Sequence, residues 1–337
     1  MWYTYIILFI FSITLVWCYK GYALKKNILD NPNERSSHVI PTPRGGGIVF
    51  PILWIAYLLV IYFFGFIGDQ YLLIFIPSVI ALAIIGFLDD CFNISAKWRF
   101  LTQLIAAIYS LWLLGGFSII QVGMWSLTLG YVGFIIAVLM LIWSTNLYNF
   151  MDGIDGIAAI EALFVFGCGG YFIWDAGGYE LARLIWAMAI IVAGFLVWNR
   201  PHAKIFMGDV GSSLLGFLTI LFGVIGEVKY KVPLLLWVIL YGVFWFDATV
   251  TLVRRILHGD VWYQAHRLHA YQRLQLKNFS HKKILLAIII VNVLLVILAF
   301  AAYYFTWLAA IAFMSALLVL LCGYLLVEKI QPMYGSK

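Results

Sequence analysis

Between positions 146 and 156 the chain reads Asn146-Leu147-Tyr148-Asn149-Phe150-Met151-Asp152-Gly153-Ile154-Asp155-Gly156, two amides, two carboxylates and two glycines set between long apolar runs. Asn146 and Asn149 are three residues apart, and so are Asp152 and Asp155. That spacing stacks side chains along one face of a helix, and Gly153 and Gly156 predict that the helix is interrupted or tightly packed there. An ionised side chain at a bilayer midplane costs roughly 2.5–3.5 kcal/mol, so the stretch belongs at a membrane surface or in a wet cavity. Oxygen donors gathered on such backbone suit a hard cation such as Mg²⁺, with phosphates among its other ligands. A plain polar turn would account for one glycine and one aspartate, but not for this density.

Four further clusters carry the same kind of chemistry. The first, Ser36-Ser37-His38-Val39-Ile40-Pro41-Thr42-Pro43-Arg44-Gly45-Gly46-Gly47, combines two stiffening prolines with three glycines that let backbone approach a neighbour closely. Arg44 could hold a phosphate or an acidic side chain bidentately; a basic loop before a helix is the plainer alternative. The second is Gly86-Phe87-Leu88-Asp89-Asp90, followed by Lys97 and Arg99. Adjacent carboxylates repel unless a cation or a proton relieves them, so Asp89 and Asp90 would face a metal or an incoming phosphate, with Lys97 and Arg99 as anion holders. In the third, Lys204-Ile205-Phe206-Met207-Gly208-Asp209-Val210-Gly211-Ser212-Ser213, Asp209 stands at a helix start, where an anion, a metal–phosphate pair or a simple N-cap all fit. The fourth holds Arg254, Arg255, His258, His266-Arg267-Leu268-His269 and Arg273. His266 and His269 lack the further soft ligands that zinc needs; beside arginines they suit diphosphate oxygens. Asp247, seven residues before Arg254, reads as its structural partner on one helix face.

The elements that must position these residues are membrane helices. Of 337 residues 65% are hydrophobic and 11% charged, against about 25% charged in a globular chain, and the mean hydropathy is +1.01. Apolar runs that reach or approach the ~17–25 residues of a bilayer span recur near 2–19, 46–66, 71–88, 100–117, 128–145, 157–174, 182–199, 212–228, 232–253, 284–304 and 306–327. The expectation is an all-α polytopic protein of about 11 spans, a single transmembrane domain over 1–337. With the amino terminus outside, outer loops hold only Arg183, Lys229 and Lys231, and the other 18 of the 21 lysines and arginines fall inside. The positive-inside rule then makes the inner loops, near 20–45, 89–99, 146–156, 200–211 and 254–283, and the carboxyl terminus cytosolic. The net charge of +6 is thus a topology signal, not a sign of nucleic-acid binding. The first basic residue, Lys20, follows the first apolar run, which predicts a retained span and not a cleaved leader. Outer loops read as short and nearly featureless. Cys18, Cys91, Cys168 and Cys322 have no metal or disulfide spacing. Every polar cluster falls on one face, and a single cleft follows.

Taken together, P-T-P-R-G-G-G (41–47), G-F-L-D-D (86–90), N-L-Y-N-F-M-D-G-I-D-G (146–156), F-M-G-D-V-G-S (206–212) and H-R-L-H (266–269) resemble, in family order, the polyprenyl-phosphate N-acetylhexosamine-1-phosphate transferases. These are the relatives of the translocase that makes the first peptidoglycan lipid and of the enzymes that start O-antigen and enterobacterial common antigen. The resemblance implies transfer of an N-acetylhexosamine-1-phosphate from a UDP-sugar to undecaprenyl or another polyprenyl phosphate, with release of UMP, at the cytosolic face of a bacterial inner membrane. It implies Mg²⁺, or Mn²⁺ in its place, held by Asn149 and Asp209. Asp152 and Asp155 would shape the nucleotide site, Asp89 and Asp90 would face the lipid phosphate, and His266, Arg267 and His269 would meet the diphosphate and sugar. Arg44, Lys97, Arg99 and Lys204 complete the expected anion-binding set, and a homodimer is the candidate assembly. H-R-L-H departs from the multi-histidine form of several members and looks closer to O-antigen initiators, which leaves the sugar open. The rival within the family is the peptidoglycan-type pentapeptide transferase. The rival outside it is a secondary transporter, which gathers charges near the midplane on broken helices; by the span boundaries above only Asp247 lies that deep.

Overall fold

The computed structural model describes residues 2–32, 40–92, 94–261, 264 and 266–334; the Ser36-Ser37-His38-Val39 part of the first cluster lies outside them. The chain is an all-α bundle: α1 (Trp2–Lys25), α2 (Val49–Phe63), α3 (Asp69–Phe92), α4 (Ala96–Leu114), α5 (Tyr131–Met151), α6 (Ile157–Asp175), α7 (Tyr179–Asn199), α8 (Gly208–Tyr230), α9 (Leu234–Leu240), α10 (Gly242–His258), α11 (Ala270–Leu276), α12 (His281–Tyr304) and α13 (Ala309–Ile330). Among the described residues nine helices are long and apolar enough to cross a membrane, or ten with the bent pair α9–α10, which makes this a multi-pass membrane protein. In hydrocarbon each backbone polar group must be satisfied within its own segment, so uninterrupted apolar runs become helices.

The structure shifts several sequence expectations. The run at 232–253 is two helices meeting at 77°. The run at 100–117 is helical as α4, but Lys97, Arg99 and Gln103 leave it outside the set that passes on apolarity alone. The inner loops are shorter than expected because helices run on into them. Asp89 and Asp90 close α3, Arg99 opens α4, Asn146 and Asn149 lie in the last turns of α5, and Asp209 is in the first turn of α8. Only Asp152–Gly156 of the central motif is a turn. The loops expected to be nearly featureless include a hairpin: β3 (Ile119–Val122) and β4 (Trp125–Thr128) are antiparallel, and Glu227 at the end of α8 accepts the N–H groups of Gln121 and Leu234. A second short ladder, β1 (Leu29–Asp30) with β2 (Thr42–Pro43), pairs Asp30 with Thr42. All four cysteines are unpaired.

Helix α8 is the hub, packed against α3, α5, α6 and α9 and almost wholly buried. Small residues let backbones meet there, as they do where membrane helices touch. A Cβ on Gly47 would lie 2.4 Å from Gly211 Cα, one on Gly86 2.7 Å from Val210 Cα, and one on Gly216 2.4 Å from the Ser144 carbonyl. These contacts set the depth at which α3, α5 and α8 present their polar ends. Gly47→Ala should therefore overpack the junction at about 1–3 kcal/mol. It is expected to lower the thermal midpoint in detergent by several degrees, whereas Gly21→Ala, with nothing within 4 Å of the new methyl, should not. Equal midpoints for the two variants would refute this account of the packing.

Candidate active site

Two helix ends meet at the centre of the site. The Asp90 carboxylate, in the last turn of α3, accepts the backbone N–H groups of Asp209 (3.1 Å) and Val210 (3.4 Å) in the first turn of α8. Gly208, at φ +77°, brings the backbone within reach; a Cβ there would strike the Asp90 carboxylate oxygens. Arg44 binds the other partner of this junction. Its guanidinium donates to the main-chain carbonyl of Asp90, through Nη2 and through Nε at 3.1 Å, and to that of Asp89 at 3.5 Å. Arg99 Nη1 spans Asp89 Oδ2 (2.6 Å) and Asp209 Oδ2 (3.2 Å), so one cation serves two carboxylates.

Where α8 meets α5, the Ser212 hydroxyl lies 3.1 Å from Asn149 Oδ1 and 3.0 Å from the Gly208 carbonyl, donating to one of them. Asn199 joins the two inner segments: it accepts from Gly156 N–H at 2.9 Å and donates to the Ile205 carbonyl at 2.9 Å. Asp155 Oδ2 accepts the Ala203 N–H (3.0 Å) and lies 3.1 Å from His281 Nδ1. Burial alone would raise the Asp155 carboxyl, but the hydrogen bonds from His281 and Ala203 outweigh it and hold the group below the ordinary carboxylate value. Among the described residues no such donor reaches the Asp152 carboxylate. Burial first, then the Asp155 and Asp90 charges, push it up to about 7.

These groups line one open cavity of about 300 Å³. Arg44, Asp90, Asn149, Asp152, Asp155, Asp209 and Arg267 all border it, as do Asp30, Asn199, Gln272 and Gln275, which the sequence reading did not single out. Asp89 stands behind the wall, tied in by Arg99. Lys97 is exposed and Lys204 lies over the Trp198 ring, so neither faces the cavity. His266 and His269 are not on a helix; their ring centroids are 4.9 Å apart, beside the cavity and not among its lining. Burial chiefly, with His269 and Arg255 nearby, lowers His266 to about 4, so it is a neutral imidazole at physiological pH. Asp247 is not paired with Arg254. Its carboxylate accepts the Ala270 N–H at 2.9 and 3.0 Å, capping α11, and lies 3.7 Å from His269 Nδ1. Arg254 and Arg273 both bind Glu328 of α13 instead, each at 2.6 Å, which removes them from the set of diphosphate holders. Nor is Asp247 the single deep acid: Glu161 is fully buried between helices and accepts from Asn292 Nδ2 at 2.7 Å.

The donors fit a hard divalent ion. The cavity wall offers amide and carboxylate oxygens with no thiolate or imidazole. Among the described residues no group of three His, Cys, Asp or Glu side chains forms a cage of its own. That suits an ion such as Mg²⁺, which keeps waters and takes substrate phosphates as ligands alongside one or two protein oxygens. Asn149 and Asp209 face the same space from α5 and α8.

The sequence profile described as Glycosyl transferase family 4 matches residues 71–227. A protein of Bacillus subtilis (strain 168), named a probable undecaprenyl-phosphate N-acetylglucosaminyl 1-phosphate transferase, is 30% identical over 279 residues, 81% of this chain and 76% of that one. The undecaprenyl-phosphate alpha-N-acetylglucosaminyl 1-phosphate transferase of Yersinia pestis is 28% identical over 86% of this chain and 81% of its own. A phospho-N-acetylmuramoyl-pentapeptide-transferase of Geobacillus thermodenitrificans (strain NG80-2) is 33% identical over 56% of this chain and 60% of its own.

The Asp152 environment has a measurable consequence. Its folded-state value of about 7 lies above the ordinary 3.8, so between those values the folded state holds a proton that the unfolded chain releases. The neutral form's contribution to stability is full below about pH 4 and is lost as pH rises through 7. Asp152→Asn, which cannot titrate, should gain thermal stability relative to wild type as pH goes from 5 to 8, measured without divalent cation or substrate. A difference between the two proteins that is flat with pH would contradict this.

Proposed function

The chain belongs to glycosyl transferase family 4, and from that membership we propose that it transfers an N-acetylhexosamine-1-phosphate from a UDP-sugar to undecaprenyl or a similar polyprenyl phosphate. The observation that carries the reading is the single cavity in which Arg44, Asp90, Asn149, Asp152, Asp155, Asp209 and Arg267 converge from five separate segments. A topology of eleven crossings, with the bent α9–α10 pair as one and α4 as another, together with the positive-inside distribution of lysines and arginines, supports a cavity at the cytosolic face of a bacterial inner membrane. A nucleotide sugar then reaches it from the cytosol and a polyprenyl phosphate from the bilayer.

In this mechanism an oxygen of the lipid phosphate attacks the β-phosphorus of the UDP-sugar. The bond to the oxygen bridging the two phosphorus atoms breaks, and that oxygen leaves with UMP. The lipid phosphate needs no strong base, since its second pKa is about 6 and it is largely dianionic at neutral pH. Asp89 and Asp90 act by holding helix ends and orienting the acceptor through Arg99 and Arg44, which suits a displacement whose catalysis is mostly positioning and electrostatics. When bound by Asn149 and Asp209, Mg²⁺ supplies charge neutralisation on the diphosphate oxygens. Arg267 meets the diphosphate from the opposite side, and Asp152 and Asp155 shape the nucleotide end. His266, neutral as described, is a hydrogen-bonding group toward the sugar or diphosphate. O-antigen initiation is the role that H-R-L-H favours over the peptidoglycan-type reaction.

Purified protein given UDP-N-acetylhexosamines and undecaprenyl phosphate is expected to release UMP only with Mg²⁺ or Mn²⁺, and none under EDTA. Asp209→Asn and Asn149→Ala should each lower turnover by at least about 100-fold, the scale of removing an electrostatic group from the reacting centre, with folded protein retained. Lack of any lipid-linked diphosphate across a panel of donors would defeat the transferase reading, and near-normal rates in either variant would defeat the metal assignment.

A further inference from the structure

His281 opens α12, beside Lys282 and Lys283. Its ring joins two residues that line the cavity, Asp155 and Gln275. Nδ1 is 3.1 Å from Asp155 Oδ2, and Nε2 is 2.7 Å from the side-chain amide nitrogen of Gln275 on α11. An amide nitrogen only donates, so the ring accepts at Nε2 and its Nδ1–H faces Asp155, whose Oδ2 lies 3.1 Å and whose backbone nitrogen lies 3.4 Å from Nδ1. Asp155 Oδ2 also takes the Ala203 N–H. Both contacts use that oxygen and neither uses Oδ1. The two partners of His281 both line the cavity, Asp155 from the turn after α5 and Gln275 from α11.

We propose that His281 is a positioning residue that clips the 152–156 turn to α11, fixing the Asp155 carboxylate and the Gln275 amide in the orientation that binds the donor's nucleotide portion. This rests on reading the cavity as a nucleotide-sugar site. His281 touches neither the phosphate that is attacked nor the lipid acceptor, so its contribution is confined to donor binding. Among side chains of similar size, Asn can place an N–H near the former Nδ1 and keep the link to Asp155. Gln reaches toward the Nε2 position and keeps only the link to Gln275.

The test compares His281→Ala, His281→Asn and His281→Gln in the full-length protein, using donor KM, acceptor KM, kcat, UDP affinity by calorimetry, and hydrogen exchange of segments 152–156 and 270–276 without substrate. Losing a hydrogen bond to a charged group predicts about a tenfold rise in donor KM and in the UDP Kd for the Ala variant, with acceptor KM and kcat little changed and faster exchange in both segments. The Asn variant should recover most of the affinity and the Gln variant little. Wild-type donor KM and UDP affinity in the Ala variant would overturn the proposal, as would a joint fall of kcat and both affinities with the melting temperature. Should the Ala variant fail to fold, equal UDP affinity in the Asn and Gln variants would overturn it too. If wild type bound no UDP while exchange in the Ala variant rose in both segments, the donor reading would fall and the clip would stand. Unchanged exchange would remove the clip whatever the substrate.

Discussion

The carboxylate of Asp90, on the last turn of α3, closes two of the free N–H groups that begin α8, and most of the site's geometry depends on that contact. An acid at the C-terminal end of a helix faces the negative end of its own dipole, an unfavourable place by itself. Here it faces the positive end of a second helix and satisfies donors that would otherwise be orphaned in a buried setting. Arg44 completes the exchange by taking the main-chain carbonyls at the end of α3. The requirement for glycine at 47, 86, 208 and 211 follows, because a capping contact across two helices works only if their backbones nearly touch. Asp209 is then fixed by its own backbone N–H, and Arg99 can reach both it and Asp89.

Beyond this junction the charged residues divide into those that build and those that are left to bind. Glu328 gathers Arg254 and Arg273 and accepts the Met333 N–H, tying α10, α11 and α13 together. Asp247 caps α11 from inside α10, so the direction taken by α10 after the bend also sets where α11 stands. Tyr271 donates to the Phe150 carbonyl at 3.0 Å and lies against Gly153, where any Cβ would collide with its hydroxyl. Arg267, just before α11, borders the cavity. A transporter reading would need its ionisable groups along a path through the bundle; Asp247 and Glu161 are instead committed to helix-to-helix hydrogen bonds.

The site was legible where chemistry forces a dense local pattern. Two adjacent acids, or acids and amides three residues apart between apolar runs, have few structural uses, and Asp90, Asn149, Asp152, Asp155 and Asp209 do converge. Residues that act through distant partners left no such mark. Asn199, Gln272, Gln275 and His281 look like ordinary polar helix ends, and only folding brings the first beside Gly156 and the last beside Asp155. Lys97 and Lys204 lie away from the cavity for the opposite reason, since a basic residue near an acidic motif is equally at home on an interfacial surface. The bend at Tyr241 escaped because 232–246 is an apolar run on both sides of it, and hydropathy reports burial without reporting direction. Arg254 and Asp247 are two turns apart in one helix, yet each found a better-placed partner on another.

The two walls of the cleft are held in physically different ways, and this bears on what each can vary. The α3–α8 wall is set by backbone: helix ends, glycine contacts and main-chain hydrogen bonds. A side-chain change at one of its packing contacts displaces a helix, whereas Asp209, held by its own backbone N–H, can be changed without moving one. The opposite wall, made of the 152–156 turn, the 200–207 segment and α11, is set by side chains, with Asn199, Tyr271 and His281 as its fastenings. In the proposed displacement at phosphorus the reacting groups demand fixed geometry, whereas recognition of the proposed nucleotide-sugar donor must admit differences between donors. A backbone-built wall suits the first demand and a side-chain-built wall the second. Changes of donor are therefore accessible through residues such as Gln272 and Gln275, while a change of reaction would require moving the ends of α3 and α8.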